Sequence, residues 1–264
     1  MRKILQILLL GLVALLSGAT LAGDALKPIA EPVVDGSAGI ARLKQAAAQG
    51  DATAQTTLGI LYYNGTVVKR DLKQSLSWLE AAAAKGHAGA QTHLGLMYNR
   101  GESVARDYRQ AASWYEKAAA QQFSSAQFQL GYLYYRGKGV PQDMQKAIYW
   151  FEQAAALGNV SAEDKLADIY DDGEGMPRDD QKAVYWYTQA VAHGSASAHF
   201  NLGLKYLEGE GVARDPLKAY QLMLQASLFI GKKSGDSRDL VKSGLTQEQI
   251  SEMQTRAIQW QQPT

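Results

Sequence analysis

No cysteine occurs among the 264 residues. Disulfide staples, cysteine-type zinc sites, thiol nucleophiles and a lipid-modified N-terminal cysteine are therefore all excluded. A surplus of charge is missing as well. With 27 Lys and Arg against 26 Asp and Glu, the chain has no basic excess for holding phosphates, and nucleic-acid binding is not expected. Prolines number only six and histidines only four. At 20% charged and 46% apolar, the composition is not that of a disordered chain. Beyond the N-terminus, no segment approaches the 18 uninterrupted apolar residues of a membrane span. Glycine runs the other way: 25 copies exceed the average usage of about 7%, and their positions carry the organisation of the chain.

The N-terminus reads as an export signal. Arg2 and Lys3 precede an apolar stretch from Ile4 to Leu16 and a small-residue exit, Ser17-Gly18-Ala19-Thr20-Leu21-Ala22. Cleavage is expected after Ala22, with Ala19 as the second choice, and the stretch is short for an anchor crossing about 30 Å of hydrocarbon. Loss of Arg2 and Lys3 leaves 25 basic against 26 acidic residues. Residues 23–37, with Pro28, Pro32 and Gly36, read as a flexible leader. The expected product is periplasmic or secreted, is not a lipoprotein and has no stable membrane insertion after cleavage.

From there the chain keeps a 36-residue clock. Leu58, Leu94, Leu130, Leu166 and Leu202 follow it, as do Tyr62, Tyr98, Tyr134, Tyr170 and Tyr206. So do Gly65, Gly101, Gly137, Gly173 and Gly209, and Asp71, Asp107, Asp143, Asp179 and Asp215. Trp78, Trp114, Trp150 and Trp186 share a slot that Leu222 fills in the fifth copy. In each copy Ala, Leu, Gly and Tyr fall on one helical face, as Ala54, Leu58, Gly59 and Tyr62 do in the first. The small residues admit a close neighbour, and a glycine stops the helix. The aspartate is placed to cap a second helix that buries Ser75, Trp78, Leu79, Ala82 and their counterparts. A lone hairpin cannot bury two such faces, whereas stacked hairpins do so in a superhelical solenoid.

Ala126, Leu130-Gly131, Tyr134, Gly137-Lys138-Gly139-Val140, Asp143, Ala147, Trp150-Phe151, Ala154-Ala155 and Gly158 together resemble the Sel1-like repeat family, a relative of the tetratricopeptide repeat with a longer turn. The resemblance covers about residues 38 to 233, with Ala167, Gln122 and Leu222 as mild departures. It implies an all-α, right-handed α-solenoid. Five 36-residue repeats are expected at 54–89, 90–125, 126–161, 162–197 and 198–233. Leu43, Ala46 and Gly50 match Leu79, Ala82 and Gly86 one period back, so residues 38–50 are expected to form an N-terminal capping helix. Residues 234–264 are expected to hold C-terminal capping helices, on the capping box Thr246-Gln247-Glu248-Gln249 and the stripe Ile250, Met253, Ala257, Ile258.

Chemistry is harder to find. Gly131 to Lys138 has the wrong spacing for a phosphate loop, and the Gly-x-Gly turns lack a third glycine and a preceding strand. No Ser-x-x-Lys, Gly-x-Ser-x-Gly or His-Glu-x-x-His occurs. His87, His93, His193 and His199 read as solvated surface residues. The acids Asp164, Asp168, Asp171, Asp172, Glu174, Asp179 and Asp180 lack EF-hand spacing. No catalytic residue, cofactor or metal site is expected.

The informative positions are the third, seventh and tenth of each copy, which the tetratricopeptide resemblance turns toward a concave groove. They read Thr56, Ile60, Tyr63 in the first copy and Thr92, Leu96, Asn99 in the second. An aromatic set follows, Phe128, Tyr132 and Tyr135, then an acidic set, Asp164, Asp168 and Asp171, then an apolar set, Phe200, Leu204 and Leu207. Either these pack the superhelix, or they bind a protein segment whose apolar residues flank a basic one. The resemblance implies an interaction scaffold or regulator for another envelope protein or a sensor. A second role is an immunity protein occluding a secreted toxin or lipase-type effector. An enzyme acting on peptidoglycan or β-lactams is a remote third, since the half-repeat disulfides of the cysteine-rich relatives linked to penicillin binding are absent.

Overall fold

A computed structural model describes residues 36–230 of the chain. The expected signal segment at 1–22, the leader up to residue 35 and the closing helices expected over 234–264 lie outside the described residues. Eleven helices and no strand occur among the described residues. They are α1 (Gly36–Ala48), α2 (Ala52–Asn64), α3 (Leu72–Ala84), α4 (Ala88–Arg100), α5 (Tyr108–Ala119), α6 (Ser124–Arg136), α7 (Met144–Ala156), α8 (Val160–Asp172), α9 (Asp180–Ala192), α10 (Ala196–Glu208) and α11 (Pro216–Ile230). None of these is long and apolar enough to cross a membrane.

The helices fall into two compact units, one ending at Leu157 and the other starting at Gly158. In the first, α2–α3, α4–α5 and α6–α7 are hairpins. There α1 packs on α2, α3 on α4 and α5 on α6. In the second, α8–α9 and α10–α11 are hairpins and α9 packs on α10.

The repeated residues do the local work the pattern assigns them. Asp71 Oδ1 accepts from the amides of Lys73 and Gln74, each at 3.0 Å, and starts α3; Asp179 accepts from Lys182 at 3.0 Å and starts α9. Leu58, Leu94, Leu130 and Leu166 are fully buried, as are Ala82, Ala118, Ala154 and Ala190. The glycine inside the first helix of a hairpin makes room for a large residue on the second. A Cβ at Gly95 would lie 2.5 Å from the Tyr115 ring, and one at Gly131 2.9 Å from Phe151. The tryptophans differ from expectation. Trp78, Trp114 and Trp150 are half-buried and pack against the edges of the core clusters, while Ser75, Leu79 and Ala82 are the fully buried members of that face. An indole is too wide for a slot lined by alanines, so it closes the seam from outside.

Candidate functional site

Within the second unit, α8 presents Asp164, Asp168 and Asp171 at spacings of four and three residues, which places them on one helical face. Each carboxylate meets a different environment. Asp164 accepts from Ser195 Oγ at 2.8 Å and from Ser197 Oγ at 3.1 Å. Burial nonetheless pushes its pKa above the usual carboxylate value, against the lowering pull of those two hydroxyls. Asp168 accepts from the Tyr187 hydroxyl at 2.9 Å, and burial raises its pKa too. Tyr187 is 2% exposed; burial first, then the charge of Asp168, drives its phenol pKa far up. Asn201 Nδ2 donates to the same hydroxyl at 3.2 Å, so a relay runs Asn201, Tyr187, Asp168.

Asp171 belongs to an ion cluster centred on Lys205. The Lys205 ammonium donates to Asp171, to Glu210 at 2.8 Å and to Asp180 at 3.2 Å. Arg178 pairs with Asp180 at 2.7 Å, with Glu210, and more loosely with Asp171 at 3.9 Å. Burial of the lysine alone lowers its pKa, but the hydrogen bonds to Asp171, Glu210 and Asp180 outweigh it and hold the group above its ordinary value. Reciprocally, the hydrogen bond from Lys205 lowers the pKa of Glu210. Backbone geometry allows the cluster. Gly211 adopts φ +67°, and a Cβ there would lie 2.2 Å from the Asp180 carbonyl oxygen, so only glycine lets this turn bring Glu210 beside the start of α9. One carboxylate oxygen from each of Asp171, Asp180 and Glu210 lies within 4.8 Å of the others, a spacing a cation would suit, and Lys205 already donates to all three.

Between these two systems lies an open cleft of about 390 Å³, lined by Asp168, Asp171, Asp172, Tyr187, Asn201, Leu204, Lys205 and Glu208. Three of the groove positions expected from sequence, Asp168, Asp171 and Leu204, meet here, together with Asp172 of the acidic string. Asp164 sits one turn away and is held by the serines. Phe200, Leu204 and Leu207 pack against Ala219, Tyr220 and Met223 of the last hairpin. In the first unit, Tyr135 is 6% exposed and the Phe128 ring lies 5.6 Å from Phe151 of α7. Tyr132 keeps part of its surface and accepts from Arg136 Nε at 3.3 Å.

Sequence reasoning missed Tyr187, Asn201, Lys205, Glu210 and Arg178, and named Asp180 only as one of a string of acids without EF-hand spacing. Lys205 had a legible signal: its slot holds Leu61, Met97, Leu133 and Ile169 in the other copies. The histidines also require correction. His199 is 9% exposed with Nδ1 at 2.6 Å from the Ser195 carbonyl oxygen, and burial pushes the pKa of His93 down to about 4. His87 accepts from Ala90 N at 3.4 Å and caps α4, and His193 Nδ1 reaches both oxygens of the buried Glu163 at 2.8 and 2.9 Å. His199 is thus buried and His87 and His93 are half-buried, against the surface positions expected from spacing, whereas His193 stays exposed while its ring contacts Glu163.

Comparison with known proteins agrees with this architecture. The Sel1 repeat pattern matches residues 52–87, 88–123, 124–159, 160–195 and 196–228. None of the curated proteins matches the chain significantly. Among solved structures, the chain is similar to c5321, a protective antigen present in uropathogenic Escherichia coli strains displaying an SLR fold. The two are 37% identical with a TM-score of 0.67 over 72% of this chain and 40% of that one. This chain thus matches well under half the length of that protein. A Sel1 repeat protein from Oxalobacter formigenes is 26% identical, with a TM-score of 0.70 over 84% of this chain and 100% of that one. The immunity protein Pa5087 from Pseudomonas aeruginosa, at 20% identity and a TM-score of 0.51 over 77% of this chain and 78% of that one, shares the fold. With five consecutive matches over most of its length and an all-α solenoid fold, the chain belongs to the Sel1 repeat family.

Proposed function

We propose that this protein is a non-enzymatic interaction scaffold of the bacterial periplasm, binding a segment of another envelope protein on its first-helix face. The observation that carries the reading is the cleft on α8, α9 and α10, where carboxylates outnumber cations on an otherwise well-packed repeat surface. Repeat stacks present extended surfaces rather than enclosed reaction chambers, which suits docking. Export rests on the charged, apolar and small-residue order of residues 1–22. The aromatic set Phe128, Tyr132 and Tyr135 would serve as a secondary contact through Phe128 and Tyr132, which are half-buried, rather than through the buried Tyr135.

The test is affinity capture from periplasmic extract at two salt concentrations. The wild-type protein is compared with Asp172→Asn/Glu208→Gln, a pair that carries no ion pair among the described residues. The expected result is a partner held by wild type and released by the variant or by salt. Capture identical in both proteins would overturn the role given to this cleft. A second reading, occlusion of a secreted effector, draws on the same acidic surface and on the fold shared with Pa5087. A captured partner that is a toxin or lipase would favour it over an adaptor role.

A further inference from the structure

We infer that the first unit, on the first-helix face of α4 and α6, receives the carboxylate of an aspartate or glutamate borne by the partner segment; this rests on the interaction reading above. Shifting the acidic cleft back two periods lands wholly in that unit. Asp172 and Glu208 become Arg100 and Arg136, Tyr187 becomes Tyr115, and Asn201 becomes Gln129. The charged rim has changed sign, while the tyrosine beneath it has been kept.

The state of that tyrosine points to a ligand. Tyr115 is 0% exposed, and its hydroxyl has no hydrogen-bond partner among the described residues. Asn99 stands beside it without completing a bond. Tyr187, by contrast, donates to Asp168; the position of Asp168 is Leu96 in the first unit, so the Tyr115 proton lacks that acceptor. Packing alone does not call for the hydroxyl. The next copy fills the same slot with Phe151, which closes on Gly131 as Tyr115 closes on Gly95. An unsatisfied buried hydroxyl is destabilising, whereas phenylalanine carries no such penalty. Burial raises the phenol pKa and the Arg100 charge draws it back, so the group keeps its proton within electrostatic reach of that guanidinium. What it lacks is an acceptor.

The surroundings are donors too. Arg100 donates Nη1 to the Tyr63 hydroxyl at 2.7 Å and forms no ion pair among the described residues. Glu102, two residues on, pairs instead with Arg70 at 3.9 Å. Arg136 donates Nε to the Tyr132 hydroxyl at 3.3 Å and lies over the rings of Tyr132 and Tyr135, at 5.6 and 5.0 Å. An occupant must therefore bring acceptors and negative charge. A carboxylate meets both needs, since its two oxygens match one edge of a guanidinium and keep lone pairs for a phenol. With Arg136 held on its tyrosines, Arg100 is the guanidinium left to move, which suits a monoanion better than a phosphate of nearly two charges. Arg100 is exposed and Asn99 half-buried, so rotation of these two side chains opens the way to the hydroxyl.

The test is a titration of the ¹⁵N-labelled protein, at constant ionic strength, with Nα-acetyl-glutamate amide, Nα-acetyl-glutamine amide and inorganic phosphate. Saturable shifts are expected at amides 96–101 and 129–136, with glutamate at least ~10-fold tighter than glutamine. Arg100→Gln should weaken glutamate at least ~10-fold. Tyr115→Phe should weaken it at least ~3-fold while the melting temperature holds or rises, a combination that a purely structural tyrosine would not give. Glutamine equal to glutamate, phosphate tighter than glutamate, unchanged affinity in Tyr115→Phe, or no glutamate saturation by ~50 mM would each overturn the assignment. The two readings fail separately. Partner capture lost in Asp172→Asn/Glu208→Gln, without glutamate binding, keeps the scaffold and removes this inference. Glutamate binding with no captured partner keeps the carboxylate site and removes the scaffold.

Discussion

Shifting the Lys205 cluster back three periods lands on a region of the first unit with the same backbone and opposite chemistry. Asp171, Asp180 and Lys205 correspond to Tyr63, Leu72 and Met97, which gather in one apolar cluster with Leu79 and Leu94. Glu210 and Arg178 correspond to Glu102 and Arg70, still paired at 3.9 Å. The seam between neighbouring hairpins is therefore sealed by burial in one place and by ions in the other. Burial is the safer seal, because an ion cluster must recover the hydration it gives up. What the ionic version adds is a polar rim to the cleft beside it, which an apolar seam does not provide.

The largest effects should come from mixing the two solutions. Met97 is fully buried, and Met97→Lys would place an ammonium where register offers one carboxylate, Glu102, instead of three. A loss of about 4 kcal/mol is expected. Adding Tyr63→Asp and Leu72→Asp, which recreates the trio, should recover part of it. Lys205→Met leaves Asp171, Asp180 and Glu210 with Arg178 alone; these acids keep 23–34% of their side-chain exposure, so about 3 kcal/mol is expected. Denaturant unfolding checks the magnitudes, and amide exchange should place each loss in its own unit. Equal losses for the two single variants would dissolve the contrast.

Acid should then separate the units by pH window. His93 has its pKa lowered to about 4 by burial, with a further push from the Arg100 charge. A depressed folded pKa means stability that is complete above the unfolded value of 6.5 and is lost as pH falls through the folded one. The first unit should therefore weaken by about 2 kcal/mol between pH 6.5 and 4, and His93→Gln should remove most of that slope, leaving the share of His87, whose pKa burial also lowers. Asp180 and Glu210 are also lowered, Asp180 because the hydrogen bonds from Arg178 and Lys205 overcome its burial. Their contribution persists above their unfolded values of 3.8 and 4.5 and fails only below them. Exchange rates in α4 should rise in the upper window and those in α8 and α10 in the lower.

A milder effect of opposite sign tests which seam is the more stable. Asp171→Tyr/Asp180→Leu/Lys205→Met installs the first unit's residues in the second and should leave stability unchanged or raise it by about 1 to 2 kcal/mol. Loss of a cooperative transition would show instead that the ions specify the packing.

The hairpins, their turns and their caps were legible because each repeats, and repetition exposes a rule through its constants. Even the departures keep the backbone: Gln122 replaces a terminal glycine and still takes φ +58°. The acidic stripe was legible as well, since three aspartates at groove positions break the rule visibly. Its partners were not. Tyr187 sits next to the repeated Trp186 and looks like ordinary helix filling, while Asn201 and Lys205 lie one repeat further on. Contacts between adjacent copies join positions about 30 residues apart, as Arg178 with Glu210 and Asp171 with Lys205 show. Reading each copy by itself hides such pairs; aligning the copies and asking which slots change together reveals them.

The smallest effect bears most directly on function. Burial raises the pKa of Asp168, so the folded protein holds that proton more readily than the unfolded chain does. The sign is then the reverse of the ion cluster's: full stability below the unfolded value of 3.8, and a penalty as pH rises through the folded pKa. Asp168→Asn keeps an oxygen to accept from Tyr187 and removes the penalty, so it should stabilise the second unit at pH 7 by about 0.5 kcal/mol. Well below the unfolded value of 3.8 the gain should vanish, because Asp168 is then protonated in both states. If the same variant also weakens partner capture, a desolvated carboxylate has been kept at a cost in stability for the partner it meets. A stabilised variant that binds as well as wild type would instead make Asp168 an ordinary packing residue of α8.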